Sequence, residues 1–140
     1  MQLKRDTDYA LRILFHIGEQ CSAKEEVPSG LSLLDISSRT GIPRISAQRI
    51  CGYFVASKAL LSARTKDNET RYYPGPRFYR QSLLSIIETI ERSADLFAVF
   101  EKNSHFYKLR GQRLQAAQQA VEQILDDITL EDLLAKKERT

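Results

Sequence analysis

The chain has 140 residues, a net charge of +3 and 42% hydrophobic residues, which suits one compact domain with a helical appendage and excludes global disorder. Two cysteines make neither a disulfide framework nor a four-thiolate metal site. Acids precede the first apolar stretch and no apolar run approaches a membrane span, so no secretory signal is read and a soluble, cytoplasmic protein is expected.

Residues 7–18 read as an amphipathic helix, with Ala10, Ile13, Leu14 and Ile17 at helical spacing and Asp6 or Thr7 as its cap. Residues 21–31 are a polar loop punctuated by Pro28 and Gly30, with Cys21 expected to be accessible at its start. A short helix is predicted over 32–40, where Ser32 and Asp35 have capping-box spacing. Gly41 stops it, and Pro43 fits the first turn of the next helix, over 44–58. There Ala47, Ile50, Cys51, Phe54 and Val55 make a core stripe. Gln48, Arg49, Gly52, Tyr53 and Ala56 lie on the other side, with Arg44 and Ser46 at the N-terminal end. Two helices joined by a short glycine-containing turn, the second polar and basic outside, form a helix-turn-helix pattern.

Residues 60–65 and 70–74 are extended stretches joined through Asp67 and Asn68, a hairpin in the position of a wing. Residues 81–92 are predicted helical, and 94–101 a further short helix. Residues 105–127 read as one long helix. Tyr107, Arg110, Leu114, Ala117, Val121, Ile124 and Ile128 repeat along it at spacings of three and four, a short coiled-coil seam. Its own domain or a second copy must cover that seam. A dimer interface through Leu114, Ala117, Val121 and Ile124 is the expectation. ITLEDLL, from Ile128, is a last short helix with Thr129 as cap. The fold class is therefore mainly α with a small β-hairpin wing. Residues 1–80 form a winged helix-turn-helix DNA-binding region and 81–140 a helical dimerisation region.

The charge is segregated. Residues 35–80 hold nine basic and three acidic residues, whereas the stretches before and after are slightly acidic. A basic island on a helix-turn-helix is the electrostatic footprint of a nucleic-acid surface; its bland alternative is a solvated face. Arg44, Ser46, Gln48 and Arg49 are candidates for base and phosphate contacts, because arginine bonds guanine bidentately and glutamine pairs with adenine in the major groove. Arg64, Lys66 and Arg71 on the wing suit the minor groove or flanking phosphates. Cys51 lies on a core stripe, where a buried hydrophobe is favoured over a redox switch. No nucleophile elbow, paired Cys/His set or HExxH metal motif is present, and no enzyme is expected. The reading is a homodimeric transcriptional repressor on a palindromic duplex-DNA operator. The alternative is a winged-helix protein–protein interaction module that does not touch DNA.

Several stretches, in order, also resemble a known family: Tyr9-Ala10-Leu11-Arg12, Ser32-Leu33 with Asp35-Ile36, Gly41-Ile42-Pro43, Arg49-Ile50, LLSIIETIE from Leu83, and Thr129-Leu130-Glu131-Asp132-Leu133. The chain is similar to the BadM/Rrf-type winged-helix transcriptional regulators, relatives of the iron–sulfur cluster regulator and the nitric-oxide-sensing repressor. The resemblance implies a dimer held by the long helix. The wing lacks the family's paired glycines. Cluster-binding members carry three cysteines between the helix after the wing and the long helix, and residues 92–110 contain none. The resemblance thus implies a cluster-free member with no metal and no cofactor. His105 and Asp8 stand near positions where cluster-binding relatives place ligands, and both have simpler structural readings.

Overall fold

The computed structural model describes residues 4–21, 30–97 and 100–135. Helix α1 (Arg5–Gln20) buries Ala10, Ile13, Leu14 and Ile17, the four positions set by helical spacing. Its cap differs from the expectation. Lys4 stands at the N-cap without a side-chain cap bond. Thr7 is buried inside the first turn, and its hydroxyl donates to the Glu91 carboxylate.

Strand β1 (Leu31–Ser32) leads into α2 (Leu33–Thr40). The Asp35 amide donates to Ser32 Oγ at 3.1 Å, and the Ser32 amide donates to the Asp35 carboxylate at 3.2 Å, so the expected capping box forms. Gly41 ends α2 at φ 73°, where a side chain would be penalised. Helix α3 (Arg44–Ala56) follows. Pro43 is its N-cap residue and not part of its first turn. The helix stops two residues short of the expected end, because Lys58 turns left-handed at φ 67°.

Strands β2 (Leu60–Arg64) and β3 (Thr70–Pro74) form an antiparallel hairpin, in register from Leu60 opposite Pro74 to Arg64 opposite Thr70. β1 pairs with the free edge of β3, giving a three-stranded sheet in the order β1-β3-β2. At the base of the wing, a Cβ on Gly75 would come within 2.5 Å of the Lys58 carbonyl oxygen, so only glycine lets the two turns meet there.

Helix α4 (Leu83–Glu91) is capped by Ser82, α5 (His105–Asp127) by Ser104, and α6 (Leu130–Leu134) by Thr129 with Asp132 completing a capping box. The short helix expected over 94–101 does not form among its described residues, which are turns and irregular chain. The cause is local competition. The Asp95 amide donates to Ser93 Oγ at 3.1 Å and the Phe97 amide to the Asp95 carboxylate at 2.8 Å, bonds that replace helical ones.

One core joins these elements. Phe54 of α3, Phe78 of the β3–α4 loop, Leu60 of β2 and Ile86 of α4 pack with the buried face of α1. Leu130 of α6 returns to the same cluster. Its amide donates to the Gln81 carbonyl at 2.9 Å, and the Leu83 amide donates to the Ile128 carbonyl at 2.7 Å. Both cysteines are buried thiols. Cys21, expected to be accessible, is 2% exposed, and its carbonyl accepts the Tyr79 hydroxyl. Burial pushes the Cys51 thiol up to about 12. No helix among the described residues is long and apolar enough to cross a membrane.

Candidate nucleic-acid interface

The inward face of α3 is apolar, and Ala47, Ile50, Cys51 and Phe54 are buried on it. At 100° per residue this fixes what the outward face carries. Arg44, Ile45, Gln48, Arg49, Gly52 and Ala56 are all exposed there. The long polar side chains sit in the N-terminal half, and the C-terminal half carries Gly52 and Ala56 with the 40% exposed Tyr53 at their flank. Ser46 lies to one side and is only half-exposed. Ile45, at the centre of the face, is 80% exposed, the most exposed large hydrophobic residue among the described ones. Periodicity alone does not find it: an isoleucine off the core stripe reads as noise until the exposure is seen. Gly52 has nothing within 4 Å of where a Cβ would stand, so internal packing does not require a glycine.

The wing rises beside this face. Arg44 and Gln48 line a cleft of about 280 Å³ with Ser32, Leu34, Asn68 and Tyr72, which brings the start of α3, the start of α2 and the wing tip together. Asn68 adopts φ 62° in the tip turn and its side chain accepts from Arg64 at 2.7 Å. Lys66 is exposed at the tip. Arg71 points the other way across the sheet, donating to the Gly30 carbonyl at 3.3 Å and pairing with Glu69 at 3.2 Å. Arg49 is held too. Its guanidinium forks onto both Asp6 oxygens, at 2.8 and 3.0 Å, tying α3 to the start of α1. Arg44 and Gln48 are thus exposed on one cleft with the wing tip that carries exposed Lys66, whereas Arg49, Arg64 and Arg71 already have partners.

The basic island is divided in space. The cleft at the wing tip and a second cleft at the wing base lie towards opposite ends of α3: Gln48 and Arg44 of the first precede Ser57 of the second by about 14–20 Å along the axis at 1.5 Å per residue. Lys58, Arg77 and Arg80 belong to the second.

The long helix α5 presents two faces. Gly111 is buried, and Tyr107, Leu114, Gln118, Val121, Glu122 and Leu125 are half-buried towards the body. Gln118 fastens the preceding segment: its amide nitrogen donates to the Ala94 carbonyl at 2.8 Å and its oxygen accepts the Leu96 amide at 2.8 Å. The other face is open. Phe106 and Leu109 are 57% exposed, Ile124 is 62% exposed, and Ala116, Ala117 and Ala120 are exposed between them. Of the four seam residues expected from spacing, Ala117 and Ile124 lie on the open face, while Leu114 and Val121 turn partly towards the body. Among the described residues, no three His, Cys, Asp or Glu side chains gather as a metal site.

No family model matches the sequence, and no curated protein does. Solved structures share the fold. CymR (YrzC), the global cysteine regulator of B. subtilis, superposes with a TM-score of 0.75 at 18% identity over 99% of both chains. The oxidized form of Staphylococcus aureus CymR gives 0.71 at 18% identity, covering 99% of this chain and 100% of that one. T. potens IscR gives 0.69 at 18% identity, covering 99% and 89%. The chain has the winged-helix fold of these proteins, long C-terminal helix included.

Proposed function

We propose that the chain is a sequence-specific DNA-binding transcriptional regulator that works as a homodimer on a palindromic operator, as a repressor. The observation that carries the reading is the cleft that joins exposed Arg44 and Gln48 at the start of α3 to Asn68 and Glu69 of the wing tip, where Lys66 is also exposed. A helix enters the major groove with its N-terminal residues against base edges, and a wing beside it meets phosphates or the minor groove. In that pose Gln48 bonds adenine, Arg44 bonds guanine or a phosphate, and Ile45 meets thymine methyl groups. Gly52 and Ala56 let the rest of α3 lie close to the sugar–phosphate wall. Arg49 acts through its Asp6 fork, which sets the angle of α3, and Ser46, Arg64 and Arg71 lie around the contact. That CymR of B. subtilis is a regulator on the same fold supports the reading. The open face of α5, from Phe106 to Ile124, supports the dimer, since a second copy would cover it and fix the spacing of the two recognition helices.

The test is a binding titration on genomic fragments across salt concentrations. Affinity is expected to fall steeply with salt, because neutralised phosphates release counterions. Gln48→Ala is expected to relax discrimination by about 1–3 kcal/mol at one base position, while Lys66→Ala weakens all sequences alike and lowers the salt slope. Absence of binding at low salt would favour the protein–protein module.

A further inference from the structure

The base of the wing carries a second cleft, of about 1000 Å³. Its walls come from the α3–β2 turn (Ser57, Lys58, Ala59), the β3–α4 loop and start of α4 (Pro76, Arg77, Arg80, Gln81, Ser82, Ser85), and Asp126 of α5. Three cations face it against one carboxylate. None of Lys58, Arg77, Arg80 and Asp126 has an ion-pair partner among the described residues, whereas Arg12, Arg49 and Arg71 all do. Uncompensated like charges at one cleft repel each other, and an anion relieves that repulsion. Lys58 adds a second sign. It occupies the left-handed position after a helix, where glycine is the least costly residue, yet the position holds a lysine that lines the cleft.

The remaining lining narrows the ligand. It is polar, with three serines and a glutamine, and it holds no aromatic ring on which a nucleobase would stack. The volume matches a small organic molecule and far exceeds one phosphate ion. We infer that this cleft binds a small phosphorylated, hydroxyl-bearing metabolite of the sugar-phosphate class. Its phosphate sits among Lys58, Arg77 and Arg80, and its hydroxyls donate to the Asp126 carboxylate and to the side-chain oxygens of Ser57 and Gln81, whose own O–H and N–H groups donate to the Phe54 and Phe78 carbonyls. The site lies at the far end of α3 from Arg44, Gln48 and the wing tip, and it adjoins the C-terminal end of the proposed DNA face at Ala56. It also touches the wing base and α5 at once, and an occupant there bridges the two parts whose relative angle sets operator spacing.

The experiment is isothermal titration calorimetry of the full chain without DNA, using glucose 6-phosphate, glycerol 3-phosphate, inorganic phosphate and glucose as probes. Saturable binding of at least one phosphate ester is expected, tighter than inorganic phosphate, with none for glucose. Lys58→Gly relieves the left-handed turn and so keeps the fold, yet it is expected to weaken the ester at least tenfold. Arg80→Ala should do the same, and Lys66→Ala at the wing tip should change nothing. No saturable binding by any phosphate ester overturns the inference. So does equal weakening by Lys66→Ala, which would reveal general attraction of anions to a basic surface. A third overturning result is loss of ligand-free DNA binding in Arg80→Ala as large as in Lys66→Ala, which would make the cleft part of the DNA surface. Because the calorimetry contains no DNA, its failure leaves the DNA reading standing, and failure of DNA binding leaves the calorimetry standing.

Discussion

Gly52 stands in the middle of α3 with open space around it. A mid-helix glycine destabilises by roughly 0.5–1 kcal/mol relative to alanine. Gly52→Ala is therefore expected to raise the thermal midpoint by a few degrees. If the outer face of α3 lies against DNA, the same change weakens operator binding, and a fluorescence-anisotropy titration on the thermally characterised variant separates the two effects. Acid sensitivity also belongs to single residues. Hydrogen bonds from the Ser32 hydroxyl and amide hold the Asp35 carboxyl below its ordinary range. Burial pushes Glu91 up, but hydrogen bonds from Thr7 and the Lys4 amide outweigh it and leave it lowered. Groups lowered by folding stabilise above the unfolded pKa, and that contribution is lost as pH falls through the folded value. The urea midpoint is expected to decline first below about pH 6.5, where burial holds the His16 imidazole below its ordinary value, and to fall further below about pH 4, with Asp35→Asn and Glu91→Gln flattening that lower limb. The Ser32–Asp35 pair was legible because a capping box is local. The Thr7–Glu91 and Asp6–Arg49 contacts were not, since each joins residues more than forty positions apart.

At the scale of elements, Ser32, Gly41 and Thr129 each mark a helix end where the sequence places one, whereas Asp6 and Thr7 do not cap α1 and Pro43 stands just outside α3. What escaped the sequence lacked a period to read. β1 has only two residues, too few for alternation, and exists because β3 offers an open edge. The stretch from Ala94 has helical composition, but Ser93 and Asp95 bond their own neighbours' amides, and Gln118 of α5 secures the result. That glutamine fixes the segment between α4 and α5. Gln118→Ala leaves the Leu96 amide and the Ala94 carbonyl without their partner. Faster hydrogen exchange at Leu96 is expected, with exchange in the buried turns of α1 unchanged, as measured by amide-resolved NMR.

For the whole molecule, the open question is what covers α5. Its exposed face runs from Phe106 through three alanines to Ile124, and small residues between larger ones permit close helix approach. If a second copy sits there, Ile124→Glu places an unpaired charge in an apolar contact and shifts the protein to monomer by light scattering. Operator affinity should then fall by tenfold or more, because the second half-site loses its tether. Val121→Glu is expected to act differently: Val121 turns partly towards the body, so its main effect is a lower thermal midpoint. The charge island shows the same limit at this scale. Sequence counting places nine basic residues in one stretch, but only the fold reveals that Lys58, Arg77 and Arg80 stand at the opposite end of α3 from Arg44.

Leu130 gives the architecture an order in time. It is 1% exposed inside the cluster that α1 begins, and α5 lies between them in sequence. On a ribosome the N-terminal helices emerge first. Their socket for Leu130 stays wet until all of α5 has been synthesised. The face of α1 that meets α6 therefore reaches its final packing only once the helix proposed to pair two copies is already present. A half-made chain has an incomplete core.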